Sequence, residues 1–192
     1  MDKCPADIII YTGDGKGKTT AALGLAVATA AAGRPAVVVQ FLKGGGYTGE
    51  LFAQVHLAPY LTIRQFGHGC PRAAEIRGGD AKCDKCGHCF RENRNPAHGY
   101  AGSALAWAAA ALRDNPPALL VLDEISHVLR HGLIGLADVL SLLESRPPAT
   151  AIVLTGRHMP PALLELADRV TESRAVKHPM KNGIDARRGI EY

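Results

Sequence analysis

The chain has 192 residues, of which 47% are hydrophobic, and a formal net charge of +4. That is enough apolar material for one packed domain over residues 1–192, and it excludes bulk disorder. The mild positive charge suits a small anionic ligand such as a nucleotide, while the lack of a dense Lys/Arg run with interleaved aromatics argues against a nucleic-acid binder.

No stretch is long and apolar enough to cross a bilayer. The opening residues lack the charged-then-apolar pattern of a secretory signal, so a cytoplasmic protein with no membrane partner is expected. Five cysteines in that setting point to metal or redox use rather than to disulfides.

In chain order, Asp7–Tyr11 is the first apolar strand. It runs into Gly13-Asp14-Gly15-Lys16-Gly17-Lys18-Thr19-Thr20, and an Ala-rich helix is expected from Lys18 to about Ala32. Strand, glycine-rich loop and helix in this order form a phosphate-binding unit. The glycines let backbone N–H groups converge on an anion, and the helix N-terminus adds its dipole. Lys18 is positioned to reach the β- and γ-phosphates, and the Thr19 hydroxyl to hold Mg²⁺. The loop is one residue tighter than the usual spacing. Counting back from Gly17, the first position is Thr12, not glycine.

Ala36–Leu42 reads as a buried strand that ends in a mobile loop, Lys43–Gly46. A short helix near 50–57 and a strand at 61–66 follow. From Gly67 to Pro96 apolar residues thin out, and Gly, Cys, Arg, Asp and Asn dominate. A segment of that length without a core pattern is functional or stapled by some other means. Regular structure resumes with a helix near 98–112, where Trp107 is expected to be a core residue. Next comes the strand Leu119-Leu120-Val121-Leu122-Asp123, which closes on Glu124. A helix around 136–143, the strand 151–155, a helix opened by Pro160-Pro161 and an edge strand at 169–172 complete the pattern. Apolar strands separated by helices predict a parallel sheet covered on both faces.

Ligands of such sheets sit at the carboxyl ends of the strands. Asp123 and Glu124 therefore fall beside the phosphate loop as a Walker B pair, with Asp123 holding Mg²⁺ through water and Glu124 touching the metal or a reacting group. Thr155-Gly156-Arg157 also ends a strand there, and Arg157 is placed to bind phosphates.

Together these segments resemble the bacterial P-loop corrinoid adenosyltransferases. The likeness rests on Thr12–Ala22 with its shortened loop, Gln40-Phe41-Leu42-Lys43-Gly44, Val121–Glu124, Leu154–Arg157, Val176-Lys177-His178-Pro179 and Gly189-Ile190-Glu191-Tyr192. It covers nearly the whole chain apart from about 67–96. It implies an α/β fold, a P-loop NTPase (RecA-like) parallel sheet with helices on both faces, to which this chain adds the Cys-rich insert. The activity it implies is transfer of the 5′-deoxyadenosyl group of ATP to Co(I) of cobalamin or cobyrinic acid a,c-diamide, with release of tripolyphosphate. It also implies Mg²⁺, a reductant for Co(II) such as a flavoprotein, and a homodimer. In that reaction Lys18 and Glu124 are the catalytic candidates, and Glu124 is a metal or ribose partner rather than a hydrolytic base.

Two positions depart from the family. Ala28 stands where members often carry an Arg. Gly67-His68-Gly69-Cys70-Pro71 stands where some members carry aromatics that displace the lower cobalt ligand. The competing readings are an ATPase or kinase acting at the γ-phosphate, and a nucleotide-sensing metal or redox protein.

The insert contains Cys83-x₂-Cys86-x₂-Cys89, with Cys70-Pro71 upstream. A [4Fe–4S] cluster commonly uses three cysteines at this spacing plus a remote Cys-Pro. Zn²⁺ is the rival, with His88 a substitute ligand, and free thiols are the third reading. Either metal would staple the loop, and a cluster would also offer an electron route to Co(II). Cys4 reads as an ordinary thiol.

Overall fold

A computed structural model describes residues 7–45, 48–84 and 86–177. Cys4, the His178-Pro179 pair and the Gly189–Tyr192 motif lie outside them. The first strand, β1 (Ile8–Thr12), runs into the glycine loop, and helix α1 (Lys18–Ala31) begins at its end. Strand β2 (Ala36–Phe41), helix α2 (Glu50–Leu57) and strand β3 (Leu61–Phe66) follow. The insert holds two one-and-a-half-turn helices, α3 (Ala73–Gly78) and α4 (His88–Asn93), and a 3₁₀ turn at Pro96–His98. Helix α5 (Tyr100–Asp114), strand β4 (Leu119–Asp123) and helices α6 (Ile125–Arg130) and α7 (Leu136–Glu144) come next. Strand β5 (Ala151–Thr155), helix α8 (Pro161–Leu166) and strand β6 (Arg169–Glu172) complete the described elements. No described helix is long and apolar enough to cross a membrane.

All six strands are parallel, in the order β3-β2-β4-β5-β1-β6. Side chains alternate across the pleat, so each strand feeds two cores. Ile9, Val38, Val121 and Val153 face α1, whose Ala22, Ala26 and Ala30 recur every fourth residue. These small side chains let the helix lie close to the sheet. Ile10, Val39, Phe41, Leu120, Leu122 and Leu154 face the opposite way, against α5, α6, α7 and α8. Trp107 packs against this second core beside Phe66, as expected of a core residue. The parallel sheet with helices on both faces follows the sequence expectation.

Two local expectations need correction. The segment after β2 is not a free loop over its described residues 43–45, because Gly44 and Gly45 pack backbone to backbone against the segment after β3. A Cβ on Gly69 would lie 2.5 Å from Gly45 Cα, and one on Gly67 would lie 2.7 Å from Lys43 N. The insert is not without a core, since Ala73, Ile76 and Asn93 are buried. Helix α6 starts directly after Glu124, in a stretch for which the sequence reading names no element. Its apolar Ile125 and Val128 are too few to produce a readable period.

The contact between these two loops sets where Lys43 sits. Gly69→Ala should force them apart and lower stability by about 1–3 kcal/mol, the usual cost of overpacking. Urea unfolding of the variant against wild type measures it.

Candidate active site

The phosphate loop depends on backbone that only glycine adopts without strain, with Gly13 at φ +96° and Gly17 at φ +104°. The segment after β6 braces it from behind. Gly15 N donates to Ser173 O at 2.7 Å, and Ser173 N donates to Thr12 O at 2.8 Å. Lys18 is buried, and its ammonium donates to Gly13 O and Gly15 O, both at 2.7 Å. It is thereby held across the mouth of the loop. Burial and the Arg157 guanidinium lower the pKa of Lys18, against the pull of Glu124, Asp14 and Asp123. Asp14, Lys16 and Thr20 are exposed. His158 Nε2 lies 3.9 Å from Asp14 Oδ1 and closes the far rim.

The core of the site is Asp123, fully buried at the end of β4. Because β5 lies between β4 and β1, side chains from three strands and a helix can meet there. Thr19 Oγ1 and Thr155 Oγ1 donate to Asp123 Oδ1 at 2.8 and 2.7 Å. Lys43 Nζ and Gln40 Nε2 donate to Oδ2 at 2.9 and 3.1 Å. Burial alone would raise the pKa of this carboxyl. The Lys43 ammonium and the hydrogen bonds from Thr155, Lys43 and Thr19 outweigh it and keep the group ionised below the usual carboxylate range. Gln40 Nε2 also donates to Glu50 Oε1, and Gln65 Nε2 reaches Gln40 Oε1, both at 2.9 Å.

Glu124 takes the left-handed conformation, φ +66°, and its N–H donates to Thr155 Oγ1 at 3.0 Å. Burial raises its carboxyl pKa, and the Asp123 charge raises it further. Arg157 is exposed, with its guanidinium within electrostatic range of both Lys18 and Glu124. Its carbonyl accepts from Ser126 Oγ at 2.6 Å, which ties α6 to the loop after β5.

Beside Glu124 opens a cavity of about 270 Å³, with Phe41, Leu42 and Phe90 as apolar walls and Lys43, Arg94 and His127 as polar ones. It joins the carboxyl ends of β2 and β4 to helix α4 of the insert. Asn93 holds this junction, donating to Leu42 O at 2.9 Å and accepting from His68 N at 2.6 Å.

The structure thus brings Thr19, Asp123, Glu124 and Lys18 together. It adds Gln40, Lys43 and Thr155, to which the sequence reading assigned no role at the acid. The usable signal was a Gln inside an otherwise apolar strand, Ala36–Phe41, since a buried amide needs partners. In the insert, Cys70, Cys83, Cys86 and Cys89 are free thiols. Burial raises the pKa of the Cys89 thiol, and Cys70, Cys83 and Cys86 all lie within electrostatic range of it. Among the described residues no three His, Cys, Asp or Glu side chains are arranged to hold a metal.

The family described as ATP:corrinoid adenosyltransferase BtuR/CobO/CobP matches residues 6–192. The chain is 37% identical over 189 residues to a corrinoid adenosyltransferase of Sinorhizobium sp, covering 96% of this chain and 79% of that protein. It is 33% identical to a corrinoid adenosyltransferase of Pseudomonas aeruginosa, covering 96% of this chain and 83% of that one. It is 32% identical to the corrinoid adenosyltransferase CobA of Salmonella typhimurium, covering 96% and 85%.

The Glu124 carboxyl tests the electrostatics of the site. Its pKa is raised in the folded chain, so ionising it costs stability. That cost is absent below the ordinary value of 4.5 and grows as pH rises through the folded value. Glu124→Gln should therefore unfold at a higher temperature than wild type at pH 7, with the gap closing below about pH 4.5. Thermal melts across that range check the sign.

Proposed function

Because the chain belongs to the ATP:corrinoid adenosyltransferase family, we propose that it moves the 5′-deoxyadenosyl group of ATP onto Co(I) of a corrinoid. The observation that carries the site reading is Thr19 and Asp123 in contact, directly beside the Lys18 loop. The Co(I) electron pair attacks C5′, the C5′–O bond breaks, and its pair leaves with the tripolyphosphate. The leaving group is a polyanion, so transition-state stabilisation is largely electrostatic.

The loop amides from Gly13 to Gly17 and the first turn of α1 line the phosphates, with Lys16, Thr20 and Asp14 at the rim. Lys18 leaves its two carbonyl partners for the β- and γ-oxygens. Arg157 takes the far side of the chain of phosphates. The hard oxygen donors of Thr19 and Asp123 fit Mg²⁺, which would supply further neutralising charge. Glu124 serves as metal or ribose partner. No water has to be activated, so no general base is needed, and a γ-phosphate ATPase, a kinase or a nucleotide sensor is not favoured.

The corrinoid belongs in the cavity beside Glu124. The apolar walls at Phe41, Leu42 and Phe90 suit a corrin edge, and the cavity shares Lys43 and Glu124 with the nucleotide site. Cobalamin and cobyrinic acid a,c-diamide are both candidates. Gly67-His68-Gly69-Cys70-Pro71, in place of the aromatics that some members carry after β3, favours a corrinoid without a strong lower ligand. A reductant for Co(II) such as a flavoprotein, a homodimeric assembly and a cytoplasmic setting follow from the resemblance. Residues 1–192 act as one domain, with 67–96 as its insert.

For the insert we propose one metal centre shared by Cys70, Cys83, Cys86 and Cys89, either [4Fe–4S] or Zn²⁺. Support comes from the spacing of the four cysteines. Metal binding would draw the exposed Cys83 and Cys86 inward and order the segment.

Incubation with Mg²⁺, ATP and chemically reduced corrinoid should yield the adenosylated product, followed by its absorption spectrum. Lys18→Ala should slow this by about 100-fold, the usual loss when one donor to a developing anion is removed. Wild-type turnover in that variant at saturating ATP would reassign the role.

Cys86→Ser should lose the metal and leave ATP binding intact. Metal analysis and titration of thiols on anaerobically purified protein check this. Wild-type protein with no metal and four freely titrating thiols would refute the shared centre.

A further inference from the structure

Asp123 already has a cation. Lys43 Nζ is 2.9 Å from Asp123 Oδ2 and 3.5 Å from Glu50 Oε1, in a pocket where Asp123 is wholly buried. Its placement is built into the backbone. Leu42, the residue before it, has φ +56°, a conformation that costs a branched side chain energy and persists only where the surroundings enforce it. Those surroundings are Asn93, which donates to Leu42 O at 2.9 Å, and the backbone contact of Gly67 with Leu42 and Lys43. The chain therefore spends strain to bring an ammonium to the carboxylate assigned to Mg²⁺.

An ammonium in contact with that carboxylate and a divalent ion on the same group repel each other strongly in a buried site. Thr19 Oγ1, by contrast, donates its proton to Asp123 Oδ1 and keeps its lone pairs for the ion, so Lys43 is the group in the way. We propose that Lys43 is an internal counter-cation of the nucleotide-free site, which Mg²⁺ displaces from Asp123 when ATP binds, and that the freed ammonium turns to Glu124 at the mouth of the adjacent cavity. This rests on the reading that Thr19 and Asp123 hold the ion.

The second position is at hand. Lys43 and Glu124 both line the cavity, and Glu124 already attracts the Lys43 charge. The backbone at Gly44 and Gly45 is fixed by its packing, so the move is a rotamer change of a flexible four-carbon stem. Glu124 has no side-chain hydrogen-bond or ion-pair partner among the described residues, so it gains one. Filling the nucleotide site would thus move positive charge toward Glu124 within the cavity proposed for the corrinoid. Lys43 is here a positioning residue.

The test uses Mn²⁺ as the probe, on nucleotide-free full-length protein, with free ion followed by electron paramagnetic resonance. Lys43→Met removes the competing charge and leaves Asp123 with Thr19, Thr155 and Gln40. It should bind Mn²⁺ at least about ten-fold more tightly than wild type, whereas Lys43→Arg should not. Equal or weaker binding in Lys43→Met would overturn the proposal. Should Lys43→Met be too unstable to titrate, Mn²⁺ must raise its unfolding temperature more than that of wild type, and equal increments would overturn the proposal as well. Asp123→Asn separates the premise from the inference. If ATP binding keeps its Mg²⁺ dependence in that variant, the metal assignment falls. If the dependence is lost but Lys43→Met binds Mn²⁺ as wild type does, only the displacement falls.

Discussion

A buried carboxylate is costly unless its charge and its lone pairs are answered, and Asp123 is answered by four side chains from three other places in the chain. Thr19 brings α1 and the phosphate loop. Thr155 brings β5. Gln40 and Lys43 bring β2 and the turn beyond it. This one group therefore ties the carboxyl ends of the central strands into a single surface. Apolar packing on both sheet faces fixes the strands. The Asp123 network fixes how the loops at their ends face one another.

Much of this was legible in the chain. The strands Ile8–Thr12, Leu119–Asp123 and Ala151–Thr155 are short apolar runs between turn signals, and buried parallel strands leave that trace. The glycine spacing of the loop and the Asp123-Glu124 pair at the end of β4 mark the candidate nucleotide site. Less legible were features that depend on distant partners. Lys43 in a Lys-Gly-Gly-Gly run reads as a solvated loop. Only the backbone contact of its glycines with Gly67 and Gly69, some twenty residues on, makes it part of the core of the site. Helices α3 and α4 have six residues each and almost no period of their own, so their order comes from contacts such as Asn93 with Leu42.

The insert is joined to the rest at the same place. Asn93 holds the turn that carries Lys43, and Phe90 forms a wall of the cavity shared by Lys43 and Glu124. A staple in the insert would thus act on the cavity through rigid contacts, without itself taking part in the reaction. In the proposed reaction the phosphate loop grips a leaving group, and the other reactant must approach from the side. A cavity opening beside Glu124, at the strand ends and next to the loop, meets that geometric need.

The proposed reaction cleaves ATP at C5′ and not at the γ-phosphate. Phosphorus NMR of a reaction containing the protein, MgATP and a Co(I) corrinoid reads this directly. Intact tripolyphosphate is expected, in step with adenosylated corrinoid. ADP and inorganic phosphate, formed without a cobalt–carbon bond, would contradict the proposed reaction.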